Sequence, residues 1–114
     1  MADLIYKICD AGLWEAAKAA GRFDGAAIDL TDGYIHFSTA GQVRETAEKH
    51  FSGLENLLLI AVPTEPLGKA LKWEPSRGGA LFPHLYGPLD PNLAAWVEPL
   101  EANGGSFVFP DEIP

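Results

Sequence analysis

The residues best placed to do chemistry in this chain are two histidines in strand-like stretches. His36 lies in YIHFS (34–38), where strand alternation sends Tyr34, His36 and Ser38 to one side and Ile35 and Phe37 to the other. His84 lies in LFPHLY (81–86), where Phe82, His84 and Tyr86 share a face. Each histidine is therefore next in line to a hydroxyl. A histidine on a pleated face needs hydrogen-bond partners, and these hydroxyls meet that need in a purely structural reading. If the two faces line one cleft, the same residues make a binding or catalytic surface. The third histidine, His50, falls late in a helical stretch, where an imidazolium complements the helix dipole, and its expected role is structural.

Spacing narrows the chemistry. Ser38 and His36 stand about 6–7 Å apart along a strand, and no G-x-S-x-G elbow occurs, so a hydrolytic triad does not fit. His36, His84 and Glu74 have the right types for zinc but include no close-spaced pair, so no metal is expected. Thr39-Ala40-Gly41-Gln42 reads as a capping box, with Thr39 accepting from the Gln42 amide and the Gln42 side chain reaching back. The first turn of the helix that follows offers free N–H groups to a phosphate or carboxylate. Glu74, at a strand end after Trp73, can support a hydroxyl or an incipient cation, or pair with Lys72 or Arg77. Lys69, Lys72 and Arg77 fall within nine residues, which suits a solvated edge strand or a local basic pocket. Gly78-Gly79 reads as a closing loop or an ordinary hairpin connection.

These residues need elements to hold them. LIYKIC (4–9) predicts a first strand with Leu4, Tyr6 and Ile8 on one face. Asp10 caps a helix through AGLWEAAKAA that Gly21 ends, with Leu13, Ala16, Ala17 and Ala20 as its apolar stripe and Trp14 at the edge. Residues 22–33 read as a turn-rich loop. A second helix runs from the capping box through Val43, Ala47, His50 and Phe51. NLLLIAV (56–62) predicts a central strand buried on both faces. KALKWE (69–74) and 78–89 predict further strands, the latter at an edge or bulge because of Pro83. LAAWVEPL (93–100) fits helix or strand, and GSFVFP (105–110) a closing strand.

Composition sets the bounds. With 114 residues, 47% hydrophobic and 21% charged, the chain is expected to be one globular domain with a real core. A formal net charge of −8 argues against a nucleic-acid partner, because little counterion release is available. No apolar run is long enough to span a bilayer, no leader is read at the start, and the single Cys9 forms no internal disulfide. A cytoplasmic location is the expectation.

DGYIHFSTAGQV (32–43), the W-E of KWE (72–74) and FPHLYG (82–87), with LWEAAKAAGRFDG (13–25) upstream, resemble the bacterial family known as domain of unknown function 952 over roughly residues 3 to 110. The resemblance implies an ADP-ribosyltransferase-like fold, a split mixed β-sheet with NAD in a central cleft. It also implies an early-strand histidine or arginine that holds the adenosine ribose, a role matched by His36. A serine or tyrosine near the nicotinamide and a later glutamate at the oxocarbenium-like centre complete that pattern. Related RNA 2′-phosphotransferases place basic residues in the cleft. No E-x-E or Q-x-E pair occurs among Glu65, Glu74, Glu98 and Glu101, and Glu74 is the one within a family block.

The reading is therefore an α+β chain of ADP-ribosyltransferase-like fold with two helices in its N-terminal half. His36, Glu74 and Tyr86 are the catalytic candidates, and Ser38, Thr39, Gln42, His84 and Arg77 the ligand-binding ones. The expected partner is a small molecule: NAD, ADP-ribose or another phosphorylated nucleoside. Ribosyl transfer or hydrolysis, ligand binding without turnover, and a small interaction module all remain open at this level.

Overall fold

The computed structural model describes residues 3–103, 106–110 and 113. β1 (Leu4–Asp10) and β3 (Leu57–Pro63) pair antiparallel at one end of the chain's larger sheet, whose order is β1-β3-β6-β7, with β6 Trp96–Asn103 and β7 Ser106–Val108. A second, three-stranded sheet has the order β2-β5-β4, with β2 Ile35–His36, β4 Leu71–Pro75 and β5 Leu81–Leu85. Among the described residues all the strand pairs are antiparallel, so the expected mixed sheet is corrected. An antiparallel bridge between Tyr6 and Ser38 joins the two sheets.

The expected central strand is β3, buried on both faces for a visible reason. One face meets a core containing Ile5, Trp14, Phe23, Ile35, Ile60 and Leu85. The other meets Tyr6, Val43, Ala47, Leu59 and Leu100. The continuous apolar run thus satisfies two cores at once, each fully buried Leu, Ile or Val contributing about 1.5–3 kcal/mol.

α1 (Ala11–Ala20) starts where Leu13 N donates to Asp10 Oδ2 at 3.2 Å and ends at Gly21, in the left-handed region at φ 74°. Its buried residues are Trp14 and Ala17, while Leu13, Ala16 and Ala20 are exposed. The expected stripe was rotated: the large indole, edge-on to Phe23 at 5.4 Å, decides which face turns inward.

Residues 22–33 are not a plain loop. They contain α2 (Ala27–Asp32), so the N-terminal half holds three α-helices rather than two. α3 (Val43–His50) begins later than the capping box implies, with Gln42 in the capping position. Gln42 does reach back, accepting from Thr39 N at 3.0 Å, but the Gln42 N–H bonds the Thr39 backbone oxygen. This closes a turn ahead of the helix instead of capping it.

Pro83 sits in the central strand of the small sheet, not at an edge. Phe37 N donates to Pro83 O at 3.0 Å, and proline has no N–H to return the bond. The β2 ladder ends there, at His36, and the chain crosses to pair Ser38 with Tyr6. The ambiguous 93–100 stretch becomes mostly β6 after a short 3-10 turn, Pro91–Leu93. The strand expected over 69–74 starts at Leu71, because Glu65–Ala70 forms 3-10 turns. The one expected over 78–89 shrinks to Leu81–Leu85, and Gly78 and Gly79 lie in the β4–β5 hairpin connection. The closing strand expected over 105–110 is Ser106–Val108, Gly105 lying outside the described residues.

Candidate functional site

The β2–β5 pairing puts His36 directly opposite His84. Because Phe37 and Pro83 share a hydrogen bond and such pairs alternate, the two histidines form a non-hydrogen-bonded pair, where side chains approach most closely. Their ring centroids are 5.5 Å apart. Tyr34 stacks on His84 at 4.1 Å and lies 4.6 Å from His36 and 5.1 Å from Tyr86. Four rings, two from the paired strands and two from the residues flanking them, thus make one cluster.

Carboxylates fix its polar edges. The His36 N–H, turned away from β5 by the register, donates to Asp29 Oδ1 at 3.1 Å. His36 Nδ1 lies 2.6 Å from the same oxygen, and Nε2 lies 3.0 Å from Asp32 Oδ2. Both ring nitrogens are therefore engaged. Asp29 also accepts from Ala26 N at 2.8 Å and meets Lys7 Nζ at 2.8 Å, with both side chains buried. Burial pushes the Asp29 carboxyl up, but the His36 hydrogen bond, the Lys7 ammonium and the Ala26 amide outweigh it and hold the group down at about 2. Gly25 makes room: at φ 115°, a Cβ there would stand 2.6 Å from the Asp29 Cβ.

On the other side, Glu74 Oε1 meets His84 Nδ1 at 2.8 Å and accepts from Tyr86 OH at 2.7 Å. The His84 and Tyr86 hydrogen bonds pull the Glu74 carboxyl below its ordinary value. The bond to Glu74 also pushes the Tyr86 phenol up to about 12, since ionising it would set two negative oxygens together. Glu74→Gln should therefore return the Tyr86 transition toward about 10, read by phenolate absorbance against a Tyr86→Phe blank. An unchanged high-pH transition would remove Glu74 as the cause. An ionised Glu74 can only accept, so the proton of the neutral His84 ring sits on Nδ1 and its lone pair on Nε2. Among the described residues Nε2 has no hydrogen-bond partner, although His84 is 3% exposed.

A cavity of about 640 Å³ opens beside the cluster. Its walls include His36, Ser38 and His84, residues Tyr6 to Asp10 of β1, and apolar Leu13, Ile28, Phe51 and Leu54. Of the sequence-predicted residues, His36, Ser38 and His84 line it. Glu74, bonded to His84 and Tyr86, lies off the walls with Tyr86, Thr39 and Gln42, and Gln42 Nε2 ties its turn to Leu81 O at 2.8 Å. Ser38 pairs not with His36 but with Thr46, Oγ to Oγ1 at 2.9 Å. Arg77 falls in the 3-10 turn Arg77–Gly79 at the end of β4, an edge strand.

Sequence reasoning missed Lys7, Asp29 and Asp32. One signal was present for Lys7: a single charge inside an otherwise apolar strand run. Cys9 lines the cavity too, but burial pushes its thiol up to about 11, so it stays protonated at neutral pH. Among the described residues, no three His, Cys, Asp or Glu side chains are grouped to hold a metal ion, and no helix is long and apolar enough to cross a membrane.

The family described as protein of unknown function, DUF952, matches residues 8–97. The chain belongs to this family. The segments around His36, Glu74 and His84, all within the matched range, meet in the ring cluster. The X-ray structure of protein CC0527 from Caulobacter crescentus is 51% identical, covers 96% of this chain and 97% of its own, and superposes with a TM-score of 0.92. The solution NMR structure of CC0527 is 53% identical over 91% of this chain and 90% of its own, with a TM-score of 0.81. No curated protein matches the chain. The DUF952 fold seen here is α+β, with two antiparallel sheets and the cleft at their junction.

Proposed function

We propose that the cleft binds a phosphorylated nucleoside, NAD or ADP-ribose being the first to test, and that His84 acts there as base in ribosyl transfer or hydrolysis. One observation carries the reading: a buried imidazole whose Nδ1 is held by a carboxylate and whose Nε2 has no protein partner among the described residues, on the wall of a ligand-sized cavity. Buried polar atoms are rarely left unmatched, and an oriented imidazole is a common general base. The division of the sheet, with the cleft at the division, supports the ADP-ribosyltransferase-like reading. Leu13, Ile28, Phe51 and Leu54 offer an apolar wall for a base or nicotinamide ring. In hydrolysis, Nε2 would take a proton from water as its oxygen bonds the ribosyl carbon and the leaving group departs with the electron pair. His36, with both nitrogens engaged, orients the cluster and does not touch the ribose.

Binding without turnover is the second reading. It is favoured by the satisfied state of the carboxylates: Glu74 Oε1 already takes two hydrogen bonds, and Asp29 takes four. Thermal shift against NAD, ADP-ribose and nucleoside phosphates tests both readings. A ligand at 100 times its Kd should add about 2.7 kcal/mol. Chromatography of the same mixtures then separates turnover from binding. A flat response to every nucleotide would overturn the ligand class.

A further inference from the structure

Lys7 lies on β1 between Ile5 and Cys9 and is 5% exposed. An ammonium carries three N–H donors and no acceptor. Asp29 Oδ2 takes one of them, and among the described residues Lys7 has no other hydrogen-bond partner. Asp29 is in the opposite position. Its two oxygens already receive Ala26 N, Lys7 Nζ, His36 N and His36 Nδ1, which fills its acceptor sites and spreads its charge over four donors. A buried ammonium with two unanswered donors is costly, and an apolar residue would often serve the fold as well. Lys7 nevertheless lines the cavity, with His84 and the hydrogen-bonded Ser38–Thr46 pair on the same walls.

We propose that Lys7 is the anion-binding residue of this cavity, its two spare N–H groups taking oxygens of a phosphate or diphosphate. The proposal rests on the nucleotide reading of the cleft and deepens it by naming what meets the ligand's charge in an acidic chain. Asp29 is then a positioning residue, holding the ammonium so that its remaining donors face the cavity. The phosphate could belong to a nucleotide or be free inorganic anion; the chemistry at Lys7 is the same.

The experiment follows the Lys7 ammonium resonance of the nitrogen-15-labelled wild-type chain by NMR during addition of adenosine, inorganic pyrophosphate and ADP-ribose. The resonance is expected to stay still with adenosine and to shift saturably with the two phosphate ligands. Lys7→Gln should weaken ADP-ribose about ten- to a hundredfold, the range of a lost charge-assisted hydrogen bond, and leave adenosine unchanged. Lys18→Gln, on α1 and exposed, should change neither. A Lys7 resonance that ignores every phosphate ligand overturns the proposal, and so does a Lys7→Gln loss equal for adenosine and ADP-ribose. If ADP-ribose binds while Lys7 is silent, the anion seat falls and the nucleotide reading stands. If pyrophosphate shifts Lys7 but no nucleoside binds, the anion seat stands and the nucleotide reading falls. The ammonium measurement needs no variant, so a folding defect in Lys7→Gln would not block the test.

Discussion

Replacing Asp29 with alanine is expected to lower the unfolding free energy by about 3–5 kcal/mol, which for a chain of this size is a fall in Tm of roughly 10–20 °C. The magnitude follows from what the carboxylate does alone. It is fully buried, and four donors from three separate segments end on it: Lys7 from β1, Ala26 before α2, and the main chain and ring of His36. Alanine leaves an ammonium buried without a counter-charge and two amides without acceptors. Removing both charges, with Asp29→Asn and Lys7→Met together, should recover much of the loss, because no stranded charge is left. The same carboxylate sets an acid limit. Its folded value of about 2 lies below the ordinary 3.8, so the protonated form favours the unfolded chain. That contribution, about 2 kcal/mol, is present in full above the ordinary value and is lost as pH falls toward about 2. Acid melts should show this component in the wild type between about pH 5 and 2 and lack it in Asp29→Asn. An Asp29→Ala variant that melts with the wild type would refute the whole account.

Asp29 is illegible in the sequence because the contacts that bury it are not local. β1, β3 and the limits of α1 were legible because each is written in a short span: alternation, an apolar run, an aspartate and a glycine at the ends. α2 is six residues long, and its two large apolar residues, Ile28 and Leu30, are more than 60% exposed. With no apolar stripe to mark it, AIDLTD reads as a turn, and the aspartate inside it reads as solvent-facing. Lys7 obeys the alternation but defies its usual meaning, because the partner that permits its burial is 22 residues away. The cleft was legible only in part. His36 and His84 stand out by type and by strand placement, yet the register that puts them face to face spans 48 residues and ends at the missing N–H of Pro83. Nothing in either segment alone encodes which histidine keeps a free nitrogen.

That distinction makes His84→Phe the sharper of the two histidine variants. Phenylalanine keeps the ring that stacks on Tyr34 at 4.1 Å, and among the described residues His84 Nε2 has no hydrogen bond to lose. The one bond removed, to Glu74, frees a carboxylate that is 36% exposed and still holds Tyr86. The stability change should therefore stay within about 1 kcal/mol in either direction. The ligand effect should be large: at least tenfold in affinity if Nε2 accepts a hydrogen bond, and about 10²–10⁴ in rate if it takes a proton. His36→Phe should show the reverse pattern. It strips a donor from the buried Asp29 and another from Asp32, so it should cost about 1–3 kcal/mol while acting on the ligand only through the cluster's geometry. Melting and ADP-ribose titration of both variants, side by side, decide the matter. If His84→Phe binds as the wild type does, the unpaired Nε2 is not where the ligand sits, and the base assigned to it goes with it.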